Sequence, residues 1–180
     1  MRRRDLAGML LTPQVLAALQ HAHEAAGNRD EAKLSYFDAA MAAEVEALAA
    51  QILPSDGTAG AKEAGVIFFI DRALATFDRE QRPAYREGMA MVQGRRKEMF
   101  PASASVAALN QVDGEKLMRA IEKTEFFETL RAHTLMGFLG HPSHGGNRNA
   151  AGWKLIGFED RHAFTPPFGW YDDPRNGERE

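Results

Sequence analysis

The 180-residue chain sets 22 lysines and arginines against 25 aspartates and glutamates, a formal net charge of -3 that excludes a general affinity for nucleic acid. The absence of cysteine excludes disulfides, thiolate metal sites and iron–sulfur ligation within the chain. No apolar run approaches the ~20 residues that span a bilayer, and 44% hydrophobic residues over this length predict one domain with a real core.

At the N-terminus, Arg2, Arg3 and Arg4 followed by Asp5 and Leu6 have the arginine pair, spacer and apolar residue of a twin-arginine export signal. The apolar stretch that follows is interrupted by Pro13 and Gln14, runs into Gln20, His21, His23 and Glu24, and shows no small-residue cleavage site. The same residues read equally as a short amphipathic helix, with Thr12 as N-cap, Pro13 at the first helical position and Gly27 ending it. A degenerate signal retained as a docking helix satisfies both readings.

Helices joined by short loops follow. Ser35 is expected to cap a helix running to about Leu53, with Asp38 three residues on and a stripe of Met41, Val45, Leu48, Ala49 and Ile52. Pro54 to Gly57 breaks it. The next helix is expected to begin near Ala59; Val66, Ile67, Phe69, Ile70, Ala73, Leu74 and Phe77 wrap more than one of its faces, which predicts a central helix covered on two sides. A third, about Pro83 to Phe100, carries Tyr85, Met89, Val92 and Met99, and its basic cluster Arg95, Arg96 and Lys97 suits a helix C-terminus. After a linker at 101–105, two more helices are predicted over Val112 to Glu122 and Glu125 to Leu139, the latter with Phe126, Phe127, Leu130, Leu135, Phe138 and Leu139 on its apolar face. No segment alternates as a strand would. The tail from Phe164 contains Phe168, Trp170 and Tyr171 among prolines, which predicts packing across the domain or on a partner.

Between Gly137 and Phe158 the chain packs six glycines, one proline, two histidines and one tryptophan into 22 residues. Glycine and proline weaken both helix and strand, so this stretch reads as a built loop. His133, His141 and His144 lie close in sequence, yet no cysteine or carboxylate stands at a ligand-like offset, and no metal site is expected. Neither the dinucleotide fingerprint nor the P-loop pattern occurs, so no flavin is expected in this chain. A general-base pair of His144 with an acid such as Asp160 is conceivable, but no nucleophile elbow or paired carboxylate stands beside it, and no catalytic residue is assigned. The structural reading is that Gly145 and Gly146 permit close approaches, Asn147 and Arg148 bond neighbouring groups, and Trp153 and Phe158 pin the loop. Together they form a shaped docking surface.

Two ordered segments also resemble a known family. Thr134 to Arg148 (TLMGFLGHPSHGGNR) followed by Gly152 to Phe158 (GWKLIGF), together with Ile52 to Val66 (ILPSDGTAGAKEAGV) and Phe69 to Leu74 (FIDRAL), are similar to the gluconate 2-dehydrogenase subunit 3 family, and the resemblance spans roughly Ala42 to Phe158. Matching positions are Pro142, Gly145, Gly146, Asn147, Arg148, Gly152, Trp153, Lys154 and Gly157, while Asn149 stands where an aspartate is usual. The resemblance implies a non-catalytic small subunit of a flavin-dependent sugar, sugar-acid or glycoside dehydrogenase. It further implies a flavoprotein partner of the glucose–methanol–choline type that holds the FAD, a cytochrome c as onward acceptor, and a role in assembly, stability or export. A periplasmic location follows if the arginine signal operates, and a cytoplasmic one if it does not.

The expected architecture is therefore all-α, an irregular bundle of about five to six helices with a long glycine-rich loop and an irregular aromatic tail. Its parts are an N-terminal segment (1–34), the helical domain (35–158) and the tail (159–180). Partner contacts are expected at Pro142, His144, Gly145, Gly146, Asn147, Arg148, Trp153 and Lys154, and in the tail at Phe168, Trp170 and Tyr171. The competing expectations are that the loop histidines touch substrate in an assembled active site, or that the chain is an independent helical binding module.

Overall fold

Six α-helices in succession, with no strand among the described residues, make up the computed structural model, which describes residues 33–161 and residue 163. They are α1 (Ala39–Ile52), α2 (Val66–Ala75), α3 (Arg82–Met99), α4 (Gln111–Ile121), α5 (Glu125–Leu139) and α6 (Ala151–Ile156). This is the all-α class expected from the periodicity. The proposed N-terminal signal or helix, with Thr12, Pro13 and Gly27, and the aromatic residues Phe164, Phe168, Trp170 and Tyr171 lie outside the described residues. No helix among the described residues is long and apolar enough to cross a membrane.

The start of α1 differs from expectation. Asp38, not Ser35, is the N-cap: its Oδ1 accepts the Met41 N–H at 2.7 Å and so satisfies one of the orphan donors of the first turn. Ser35 is engaged elsewhere. Its backbone N–H, with those of Tyr36 and Phe37, donates to the carboxylate of Asp71 at 2.7, 2.9 and 2.8 Å. Asp71 is a buried acid on α2, and three N–H donors replace the water it gave up. Along α1, Val45, Leu48 and Ala49 face the core, whereas Met41 turns outward.

The central helix starts later than its composition implied. Residues 61–65 form a turn, tied to the preceding loop by Glu63, whose Oε2 accepts from Ser55 Oγ at 2.5 Å and from the Gly60 N–H at 2.9 Å. Only from Val66 does the chain become helical. Val66, Ile67, Phe69, Ile70, Ala73 and Leu74 are all buried between α1 on one side and α5 on the other, which is the two-sided covering their pattern predicts. Phe77 departs from that stripe: it lies beyond the end of α2 and stands exposed.

Helix α3 buries Tyr85, Met89 and Val92 as expected, and Pro83 sits in its first turn, where a missing N–H costs nothing. Its basic cluster divides. Arg95 and Lys97 stay in solvent, but Arg96 is buried and donates to the Ser103 carbonyl, so it tethers the 101–105 linker to the helix in addition to matching the helix end. Met99 is exposed. Asn110 caps α4 through the Asp113 N–H, Thr124 caps α5 through the Phe127 N–H, and α5 spans the residues its pattern indicates. Phe126, Leu130 and Phe138 of α5 complete the core, while Leu139 reaches the surface.

Candidate functional site

Helix α5 carries the glycine-rich segment on its C-terminal end. The segment is a loop only from Gly140 to Asn147; a turn over Arg148–Ala150 then leads into α6, so Gly152, Trp153 and Lys154 are helical rather than part of a loop. The reason is tertiary. A β-carbon on Gly152 would sit 2.0 Å from the carbonyl oxygen of Phe138, and one on Gly146 would sit 2.1 Å from that of Gly137. The two bare residues let α6 and the loop lie directly on the backbone of α5, an approach any side chain would block.

Asn147 locks this arrangement. It is fully buried, its Nδ2 donates to the Gly140 carbonyl at 2.9 Å, and its Oδ1 accepts the Gly152 N–H at 2.8 Å. One side chain thus joins the end of α5 to the start of α6. The backbone here is left-handed at three non-glycine residues, Asn147, Asn149 and Ala150, with φ of 48°, 57° and 54°. Asparagine tolerates that region; for Ala150 it costs about 1 kcal/mol, which the surrounding bonds must hold. Strain of this kind, concentrated within four residues, marks a segment whose shape matters.

The surface of the loop is aromatic. His141 caps the Pro142–His144 turn through Nδ1, which accepts the Ser143 N–H at 3.2 Å. Its ring meets Trp153 edge-on at 5.6 Å between centroids and His144 at 6.4 Å. His144 in turn meets Phe77 at 6.5 Å, and Trp153 meets Phe158 at 5.1 Å. A continuous row of rings, Phe77, His144, His141, Trp153 and Phe158, therefore crosses this end of the molecule. Trp153 is anchored by its Nε1–H, which donates to the Leu139 carbonyl at 2.7 Å. Phe77 and Phe158, the two ends of the row, leave 57 and 47% of their surfaces uncovered, and Leu155 and Ile156 of α6 leave 52 and 59%. Arg148 stacks 3.9 Å above the Phe68 ring.

Of the sequence-derived contact residues, His144 and Trp153 belong to the row and Pro142 lies in the turn between His141 and His144, whereas Arg148 and Lys154 line a cleft with Thr58, Glu63 and Leu155. Gly145, Gly146 and Asn147 are the frame beneath. Gly145 has φ of 107°, and Asn147 presents no surface at all. Asn147 is therefore a positioning residue rather than a contact. Phe168, Trp170 and Tyr171 lie outside the described residues.

The histidines do not converge. Among the described residues no three His, Cys, Asp or Glu side chains gather as metal ligands would. Asp160 stands 4.0 Å from His141 Nε2, not beside His144, so the conceivable His144–Asp160 pair is not formed. His133 lies apart in the interior. Its Nε2 is 2.6 Å from Asp78 Oδ2, and its Nδ1 is 3.0 Å from the Tyr85 hydroxyl, with the two rings stacked. The carboxylate accepts from Nε2–H and Nδ1 accepts from the tyrosine, so both ring nitrogens of His133 and the Tyr85 hydroxyl have partners. Burial, with the charge of Asp78 second, pushes the Tyr85 phenol well above its ordinary pKa, so it remains a donor.

Sequence reading missed this trio, the exposed Phe77 and the anchoring role of Asp71. Asp71 alone left a signal, a lone acid among the apolar residues of the central helix.

The family model described as gluconate 2-dehydrogenase subunit 3 matches residues 39–160, from the first residue of α1 through the loop and α6. No curated protein and no solved structure matches the chain. The matched stretch contains the frame of glycines, Asn147 and the row of rings, and covers well over half of the 180 residues: the chain belongs to the gluconate 2-dehydrogenase subunit 3 family and is, on that membership, a small dehydrogenase subunit.

Proposed function

We propose that this chain is the non-catalytic small subunit of a flavin-dependent dehydrogenase acting on a sugar, a sugar acid or a glycoside, and that it docks on a catalytic subunit of the glucose–methanol–choline type through the ring-bearing face. The observation that carries this reading is the row Phe77, His144, His141, Trp153 and Phe158, set on a backbone frame that leaves no room for a β-carbon at Gly146 or Gly152. Aromatic side chains anchored on a rigid support lose little entropy on association and are the usual energetic centre of an interface. In this proposal the FAD belongs to the partner, a cytochrome c takes the electrons onward, and the complex works in the periplasm. The small subunit covers apolar surface of the catalytic subunit and so supports its assembly, stability or export.

A second reading draws on the placement of His141 and His144 at the middle of the row, where they would touch substrate if the interface bordered the active site. One experiment separates the two. The chain is co-expressed with a candidate flavoprotein dehydrogenase of the glucose–methanol–choline type from the same genome, pulled down, and assayed for visible absorbance and dye reduction with sugar. A yellow, stoichiometric complex whose turnover survives His141→Ala and His144→Ala supports the docking reading. Loss of turnover in an intact complex moves the histidines to the substrate. A colourless chain that purifies alone as a stable monomer overturns both.

A further inference from the structure

A cleft of about 560 Å³ opens between Thr58, Ala59 and Glu63 on one wall and Arg148, Lys154 and Leu155 on the other. Arg148 is fixed along its length. Its backbone N–H donates to the Ala64 carbonyl at 2.9 Å, its stem fills the space a side chain at Gly65 would need (2.6 Å from an added β-carbon to Arg148 Cδ), and its guanidinium stacks on Phe68. Yet among the described residues neither that guanidinium nor the Lys154 ammonium has a hydrogen-bond or ion-pair partner. Glu63 does not serve them. Its Oε2 is taken by Ser55 and Gly60, and the Ser55 bond chiefly holds the carboxyl below its usual pKa. Two cations without a protein partner against one carboxylate give the cleft lining a positive balance in a chain of net negative charge.

We infer that this cleft is a carboxylate notch, in which Arg148 and Lys154 receive an aspartate or glutamate side chain of the catalytic subunit; the inference rests on the docking reading above. A stacked, pre-oriented guanidinium is the group that best grips a planar carboxylate with two parallel bonds. The ionised Glu63 in the wall disfavours a doubly charged phosphate more than a singly charged carboxylate. Leu155, in the wall, and Ile156 beside it are exposed and apolar, which suits an acid carried on a peptide segment better than a free ion in water.

The test is titration of the purified catalytic subunit with the full chain at low and high salt, using wild type, Arg148→Gln, Arg148→Lys, Lys154→Gln and Ile156→Asp, with thermal melts to confirm folding. Arg148→Gln is expected to weaken binding roughly thirtyfold or more, and Lys154→Gln about fivefold, each with a shallower salt dependence. Arg148→Lys should retain part of the affinity, because the charge stays while the fork is lost. If Arg148→Gln and Lys154→Gln bind as wild type while Ile156→Asp does not, the notch is wrong and the docking face stands. If none of the variants changes binding, both readings fall. Arg148-dependent binding of acetate or gluconate to the isolated chain, with assembly unaffected by Arg148→Gln, would also overturn the inference and assign the notch to a small acid. So would loss of the Arg148 effect in a chain ending at Ala163, which would place the carboxylate in this chain's own tail.

Discussion

Gly146 lies so close to Gly137 that a β-carbon on the former would stand 2.1 Å from the carbonyl oxygen of the latter, well inside van der Waals contact. The obstacle is helix backbone, which cannot swing aside as a side chain would. Gly146→Ala is expected to cost about 3 kcal/mol and Gly146→Val more, through displacement of the loop from α5. Urea denaturation checks the first. For the second, the expected result is loss of co-purification with the catalytic subunit. An alanine variant as stable as wild type would show that the loop does not pack as described.

Asn147 offers a sharper probe, because its left-handed backbone and its side-chain bonds can be separated. Asn147→Gly keeps the backbone freedom and removes both bonds; Asn147→Ala removes the bonds and adds strain. Both leave the Gly140 carbonyl and the Gly152 N–H unmet. The glycine variant should lose about 2 kcal/mol, and the alanine variant about 1 kcal/mol more. Equal losses in the two variants would remove backbone strain from the account.

Asp71 holds the entry to the domain, accepting from three successive N–H groups at Ser35, Tyr36 and Phe37. Asp71→Ala leaves those donors without their acceptor, and a loss of about 3 kcal/mol is expected. Hydrogen exchange of the 35–37 amides should accelerate toward that of an open segment, while exchange in α4 follows only the global change. Protection that survives the substitution would contradict this role.

Tyr85 gives a pH dependence whose sign is definite. Burial, first, and the charge of Asp78, second, raise its folded pKa, so the folded state keeps the phenolic proton more tightly than the unfolded chain. Below about pH 10 neither state has released it, and this group contributes no slope. Above that value the unfolded chain loses the proton first, and stability should fall by about 1.4 kcal/mol per pH unit until the folded phenol titrates. Denaturation midpoints measured on wild type and Tyr85→Phe across alkaline pH test this. The variant should start about 2 kcal/mol less stable, with His133 Nδ1 left unpaired, and show a correspondingly smaller alkaline loss.

The ring-bearing face should separate binding from folding. Phe77→Asp and Ile156→Asp alter side chains that are more than half exposed, so melting temperatures should hardly move. Affinity for the catalytic subunit should fall about tenfold to a hundredfold if these positions lie inside the interface. Titration of the purified partner measures it, and unchanged affinity at both positions would move the interface elsewhere.

Several elements were legible from local chemistry. The extent of α5 follows from the spacing of Phe126, Leu130 and Phe138, and the central position of α2 from its apolar residues on two sides. Where the sequence misled, a competing bond had intervened. Ser35 looked like a cap, but Asp71 holds the backbone of 35–37 outside the helix and Asp38 caps it, and α2 waited until Val66 because Glu63 folds the preceding residues back onto Ser55 and Gly60. The glycines of 145–152 signalled a close approach, but not that α6 would be a helix lying on the Phe138 carbonyl.

By itself, then, the sequence determined the helical class, the family and the place of the glycine-rich segment, because caps and apolar periodicity act over three or four residues and family motifs are contiguous. Tertiary structure alone decided which atoms meet. It seated Asp78 against His133 across 55 residues and Asp71 beneath Ser35 across 36. It also brought Phe77 beside His144 to complete the row of rings. Such pairings depend on how two helices are rotated and offset when their apolar faces close together, and no local rule along the chain specifies that offset.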